Sequence, residues 1–282
     1  MIACLAALAW LTPAALSVNA GEPDQSPRLT VFVSILPQAY FVERIGGLNV
    51  RVEILVGPGQ TPETYEPTPR QLTALAEADV LFTIGMPFEK RLADRIRRAF
   101  PDTRVVAAQD DHSSADANVD PHTWLSPILA GRQAKRVCEE LCRLDTANTA
   151  LYRKNLSDLQ RELDSLDTVI RNLLESVKGK AFYVSHPAFG HFAEVYGLTQ
   201  VAVEADGKEP SAQQLSRLIR QAKDDGVTMI FVQPQHSPKA ARALAEAIGA
   251  EIVPLDPLAR DYLNNLRHIA EQIGKTLTED VK

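Results

Sequence analysis

The first twenty residues carry no charge of either sign. An apolar run over 2–16, followed by the small-residue cleavage pattern Val18-Asn19-Ala20, makes residues 1–20 a secretory signal peptide. No Lys or Arg precedes the apolar core, as expected if the start codon lies upstream of Met1. No later apolar run approaches the ~20 residues that cross a bilayer. The exported remainder is therefore expected to be soluble, in the periplasm or another extracytoplasmic space. Cysteine is scarce, three in 282 residues. Cys4 sits where a lipoprotein cysteine could, but the apolar run continues past it, which argues against lipid attachment. Cys138 and Cys142 lie one helical turn apart. Export permits a disulfide, but a bridge within one helix constrains almost nothing, so both read as small apolar residues. Excess positive charge is also missing: 30 Lys and Arg face 36 Asp and Glu, a net charge of −6 that excludes nucleic acid as the expected partner. Neither H-E-x-x-H nor G-x-S-x-G occurs, which weakens an enzymatic reading.

What remains is an alternation of short apolar runs with helical periodicity. Residues 29–35, 52–56, 80–84 and 105–107 read as strands buried on both faces, separated by helical patterns over 40–45, 69–76 and 88–100. The pattern recurs with strands over 181–185, 201–204, 229–232 and 251–253 and helices over 189–196, 212–224 and 238–248. Alternation of this kind specifies an α/β class with parallel sheets, and about 260 mature residues favour two domains. The expected division is an N-terminal metal-binding lobe over 21–145, a linking helix over 146–178 and a C-terminal metal-binding lobe over 179–282.

The linker has no proline from 146 to 177. Leu156, Leu159, Leu163, Leu166, Ile170, Leu173 and Val177 recur at steps of three and four, one stripe of a single helix ~45 Å long, which Gly179 ends. The stripe suits either a coiled-coil dimer or a spine packed along both lobes. With only about three heptads, the spine and a monomer are the expectation, and such a spine should limit hinge motion on ligand binding.

Chemistry-bearing residues sit in four Pro-studded turns: Glu63 in Pro62-Glu-Thr-Tyr-Glu-Pro67, His122 in Asp120-Pro-His-Thr-Trp124, His186 in Val184-Ser-His-Pro187 and Asp256 in Pro254-Leu-Asp-Pro257. In parallel sheets, ligands bind beyond the carboxyl ends of strands, and all four turns fall there. Two imidazoles with one or two carboxylates suit Zn²⁺, Mn²⁺ or Fe²⁺. His191 and His236 could lie near the same cleft, as outer or structural residues, and His268 reads as a helix-surface residue. An exported metal-dependent hydrolase with a two-His/carboxylate zinc site, with Glu63 or Glu66 as general base, is the alternative function. A siderophore or cobalamin carrier would need an aromatic or Arg-lined cleft, and near these motifs only Tyr65 and Trp124 are aromatic.

The segments Tyr65-Glu-Pro-Thr-Pro69, Asn118-Val-Asp-Pro-His-Thr-Trp-Leu-Ser-Pro127, Glu209-Pro-Ser-Ala-Gln-Gln-Leu215 and Val253-Pro-Leu-Asp-Pro-Leu258 resemble the cluster A-I solute-binding proteins of zinc and manganese ABC transporters, from about residue 29 to the end. The resemblance implies two lobes, each with a four-stranded parallel sheet and flanking helices, joined by one long helix. It implies one metal ion between them, no enzymatic activity and an ABC importer permease as partner. It carries over His122 as second ligand, His186 as third and Asp256 as fourth. His186 is the zinc-type residue at a position where manganese-type members usually have Glu. The first position departs from the family's His-x-Tyr-Glu-Pro, because Glu63 stands where the His would be. Three arrangements remain open there: Glu63 ligates, a water takes its place, or Glu66 substitutes through a loop shift. A second carboxylate makes a harder site that also tolerates Mn²⁺ or Fe²⁺, with zinc the expected metal. The family's His- and Asp-rich loop is reduced to 110–116, with His112 its one imidazole.

Overall fold

Val31, Phe32, Val33, Val80, Leu81 and Phe82 are fully buried, as β-branched and aromatic runs are when helices cover both faces of a parallel sheet. The computed structural model describes residues 28–108, 120–204 and 207–279. The expected signal peptide over 1–20, Cys4 and His112 fall outside them. In the N-terminal half, β1 (Leu29–Val33), α1 (Leu36–Gly46), β2 (Val50–Ile54), α2 (Pro69–Leu75), β3 (Val80–Thr83), α3 (Pro87–Ala99) and β4 (Arg104–Ala107) alternate. Their strands form an all-parallel sheet of order β2-β1-β3-β4. After α4 (Pro127–Leu144) and α5 (Thr149–Leu174), the second half repeats the plan with β5 (Ala181–Val184), α6 (Gly190–Tyr196), β6 (Thr199–Ala202), α7 (Ala212–Asp224), β7 (Met229–Val232), α8 (Lys239–Ile248) and β8 (Glu251–Pro254). Its parallel order, β6-β5-β7-β8, matches the first. The chain closes with α9 (Tyr262–Glu279).

The linking segment is α5 with a 3-10 turn at each end, Thr146–Asn148 and Glu175–Val177. Leu159, Leu163, Leu166, Ile170 and Val177 are buried as the spacing predicts. Leu173 is 38% exposed and Leu174 takes its place on the stripe. A step of four from Ile170 keeps the side chain on the buried line, where the step of three drifts off it. The stripe is covered within the chain by α1, α4 and α9, so the geometry is that of a spine. The extents of α4 and α9 were not anticipated, although His268 lies exposed on α9 as a helix-surface residue. They supply the faces against which the spine packs.

One hydrophobic core runs without interruption from the first sheet through the spine to Phe182, Phe189, Phe192 and Phe231 of the second half. A smaller cluster around Tyr183, Ile230 and Leu244 lies under α7 and α8. Polar bonds across the junction add to it. Trp124 Nε1 donates to the Pro257 carbonyl at 2.8 Å and the Tyr262 hydroxyl donates to the Trp124 carbonyl at 2.6 Å. Arg44 grips Glu162 on the spine with two bonds of 2.6 and 2.7 Å. Cys138 and Cys142 are free thiols with sulfurs 3.9 Å apart. Burial pushes the Cys138 thiol up to about 12, so it is inert at neutral pH.

Candidate metal centre

Glu63 lies in the 3-10 turn Pro62–Thr64 between β2 and α2. Pro62 presets the turn. The stretch that follows is pinned by the Tyr65 hydroxyl donating to Gln71 Oε1 at 2.7 Å and by Gln71 Nε2 donating to the Leu55 carbonyl at 2.9 Å. The Thr61 hydroxyl donates to the Glu63 carboxylate itself. His122 precedes the buried turn Thr123–Leu125, which Ser126 joins to α4 by capping the Leu129 amide. His186 follows β5 by two residues, and Gln233 beyond β7 brackets it: Gln233 Oε1 accepts the His186 amide at 3.0 Å while Gln233 Nε2 donates to the His186 carbonyl at 3.0 Å.

The fold brings Glu63, His122 and His186 to one point. Glu63 Oε1 is 3.6 Å from His122 Nε2 and 3.4 Å from His186 Nε2. Donors about 2.0–2.1 Å from a tetrahedral zinc stand ~3.3 Å from one another, so these separations are close to those of atoms sharing one ion. His122 and His186 are 7% and 5% exposed, and His186 Nε2 is buried with no hydrogen-bond partner. A buried polar atom left unsatisfied is costly. Here it faces the place where an ion would satisfy it, and the donor set of two imidazoles and a carboxylate fits zinc.

The outer nitrogens are held by carboxylates. His122 Nδ1 meets Asp120 Oδ1 at 2.6 Å, and His186 Nδ1 meets Glu204 Oε2 at 2.7 Å. Carboxylates in this position fix the ring and leave Nε2 to the metal. Asp120 packs on α6 so tightly that a Cβ on Gly190 would lie 2.5 Å from its Oδ2. His191 Nε2 adds a 3.0 Å contact to the Asp120 carbonyl, a supporting role one shell out, as expected.

These pairings set the electrostatics. Burial works against the charged imidazole of His186, but Glu204 and Glu63 outweigh it and push its pKa from 6.5 up to about 9. For His122 too, burial is overcome, by Asp120 and Glu63, and its pKa is raised. Burial would raise Glu63, yet His122, His186 and Thr61 hold it well below the usual carboxylate range. Glu204 falls to about 2, because His186 and His236 override its burial.

Two further carboxylates of the sequence motifs do not converge on this point. Glu66 is solvent-exposed, 3.9 Å from Arg91, so it does not replace Glu63. Asp256 stands outside the groups of ligand-type atoms. Its Oδ1 accepts the Leu258 amide at 2.8 Å and Gln235 Nε2 at 2.7 Å. Conversely, His236 lies beside the site, grouped with His186 and Glu204. Its ring stacks on that of His186 at 3.9 Å and 16°, with Nε2 3.8 Å from Glu63 Oε2 and Nδ1 3.6 Å from Glu204 Oε1. Glu204 was not anticipated. The signal available was positional: Glu204, His186 and His236 follow β6, β5 and β7, which are neighbours in the sheet.

A family model described as the zinc-uptake complex component A, periplasmic, matches residues 31–276. The chain belongs to the ZnuA family. A ZnuA crystal structure superposes with a TM-score of 0.84 at 39% identity, covering 89% of this chain and 99% of its own. A zinc-bound ZnuA deletion mutant gives 0.82 at 38%, covering 88% and 98%. The high-affinity zinc uptake protein ZnuA of Bacillus subtilis is 27% identical over 86% of this chain and 82% of its own. ZnuA-family membership makes this chain an extracytoplasmic solute-binding component of an ABC uptake system and not an enzyme.

Proposed function

We propose that this protein captures zinc outside the cytoplasm and delivers it to the membrane permease of an ABC importer. The ion is held at Glu63, His122 and His186 between an N-terminal lobe over 21–145 and a C-terminal lobe over 179–282, with the helix over 146–178 as linker. The carrying observation is the convergence of two imidazole Nε2 atoms on one carboxylate oxygen at 3.4 and 3.6 Å. Asp256 enters through resemblance as the fourth ligand; to ligate, its carboxylate must offer the ion an oxygen while Oδ1 stays bonded to Leu258 and Gln235. With Glu63 in place of an imidazole, Mn²⁺ and Fe²⁺ are the competing cargoes. The protein acts as a monomer, because its spine is covered internally, and reaches its compartment by the signal peptide over 1–20.

Zinc bound by the folded chain stabilises it by RT ln(1 + [L]/Kd), ~4 kcal/mol at a thousandfold excess over Kd. Thermal melting with zinc and with chelator should differ accordingly in the wild type and much less in His122→Ala. Equal midpoints in the wild type, with no zinc by elemental analysis, would sink the proposal.

A further inference from the structure

Glu63 meets a third imidazole as well as the two just described. His122 and His186 address its Oε1, and His236 Nε2 faces its Oε2 from 3.8 Å. Like the other two rings, His236 has a carboxylate behind it. Glu204 divides its oxygens between His186 Nδ1 at 2.7 Å and His236 Nδ1 at 3.6 Å. One acid thus lies behind two rings, bonded to His186 and in looser contact with His236, and a carboxylate in that position fixes a ligating ring. Asp256, the carboxylate expected to close the site, already has Oδ1 bonded to Leu258 and Gln235 and lies outside the convergent atoms.

We propose that His236 is a ligand of the transported metal, joining Glu63, His122 and His186 in a site of three imidazoles and one carboxylate. This deepens the reading of the site given above and rests on it. Such a set restores the imidazole that Glu63 displaces from the family pattern. With His236 as the fourth ligand in place of Asp256, it gives four protein ligands with a single negative charge, the soft-to-borderline donor set that favours zinc over manganese. The two stacked rings lie only 16° from parallel, so their in-plane lone pairs do not meet at one ion. One ring must turn. His186 is held by Gln233 and by its 2.7 Å bond to Glu204, whereas the ring contacts of His236 to Glu63 and Glu204 are 3.8 and 3.6 Å. His236, on the loop after β7, is the ring that swings onto the metal after Glu63, His122 and His186 engage it.

Nitrogen NMR of ¹⁵N-histidine-labelled, zinc-loaded protein counts the rings directly, because a zinc-bound ring nitrogen has a distinct shift. The chain has six histidines. Three zinc-bound rings are expected in the wild type and two in His236→Phe, which keeps an aromatic ring on His186. His236→Gln replaces it if the Phe variant does not fold. By chelator competition, zinc affinity should fall further in His236→Phe than the ~10- to 100-fold that loss of an outer partner costs, and Asp256→Asn should leave the ring count at three. Two zinc-bound rings in the wild type, both retained in His236→Phe, would overturn the role of His236 and leave the Glu63-His122-His186 site standing. No zinc-bound rings at all would remove the underlying site.

Discussion

The coupling of His186 to its two carboxylates predicts a stability that falls as pH rises when no metal is present. The imidazole has a folded-state pKa of about 9 against 6.5 for the ordinary group. A raised pKa stabilises the fold fully below about pH 6.5, and that contribution is lost as pH rises through about 9. A difference of ~2.5 pH units at 1.36 kcal/mol each gives ~3 kcal/mol as the most His186 contributes. The depressed pKa of Glu63 reports the same contacts from the other side, so it is not added. Zinc must displace the proton, so affinity should show the opposite slope. It should rise at least tenfold per pH unit toward about 9, more steeply where His122 is protonated too, and then flatten, where unperturbed imidazoles would level off near 6.5. Urea unfolding in chelator between about pH 6 and pH 10 measures the first trend. Subtracting the same curve for His186→Gln removes all other titrating groups. The subtracted curve should descend by up to about 3 kcal/mol across that window. A flat or ascending difference, or a zinc affinity already constant above pH 7, would refute the argument that Glu63 and Glu204 hold a charged His186.

The substitution that departs from the family pattern gives a second test. Glu63→Ala should weaken zinc binding strongly, whereas Glu63→His should retain it and shift preference from Mn²⁺ to Zn²⁺; calorimetric titration with both metals checks this, and equal zinc affinity in wild type and Glu63→Ala would exclude Glu63 as a ligand. For the spine, Leu163→Ala should cost about 2–5 kcal/mol in unfolding free energy. Leu163 is 2% exposed and packs on α4, where Gly131 leaves its Cδ1 3.9 Å from the position of a Cβ. A loss below about 1 kcal/mol by denaturant titration would show the α4–α5 contact to be loose.

Much of the molecule could be read from residue order alone. Apolar runs too short for a membrane, broken by 3.6-residue periodicity, dictate parallel strands with covering helices. A stripe such as Leu159-Leu163-Leu166-Ile170 dictates one long helix, because backbone geometry repeats locally whatever surrounds it. Loop residues such as Glu63, His122 and His186 could be placed at one sheet edge, because parallel strands all open their carboxyl ends on the same side. What each of those side chains touches could not be read, because contact depends on strand order, which sequence order does not reveal. The order β6-β5-β7 sets His186 between Glu204 and His236, residues 18 positions after it and 50 after it. No periodicity marks either as a partner. Only the folded sheet brings them within reach, turns Glu204 from a strand-end acid into the support of two imidazoles, and engages Asp256 Oδ1 with its own loop.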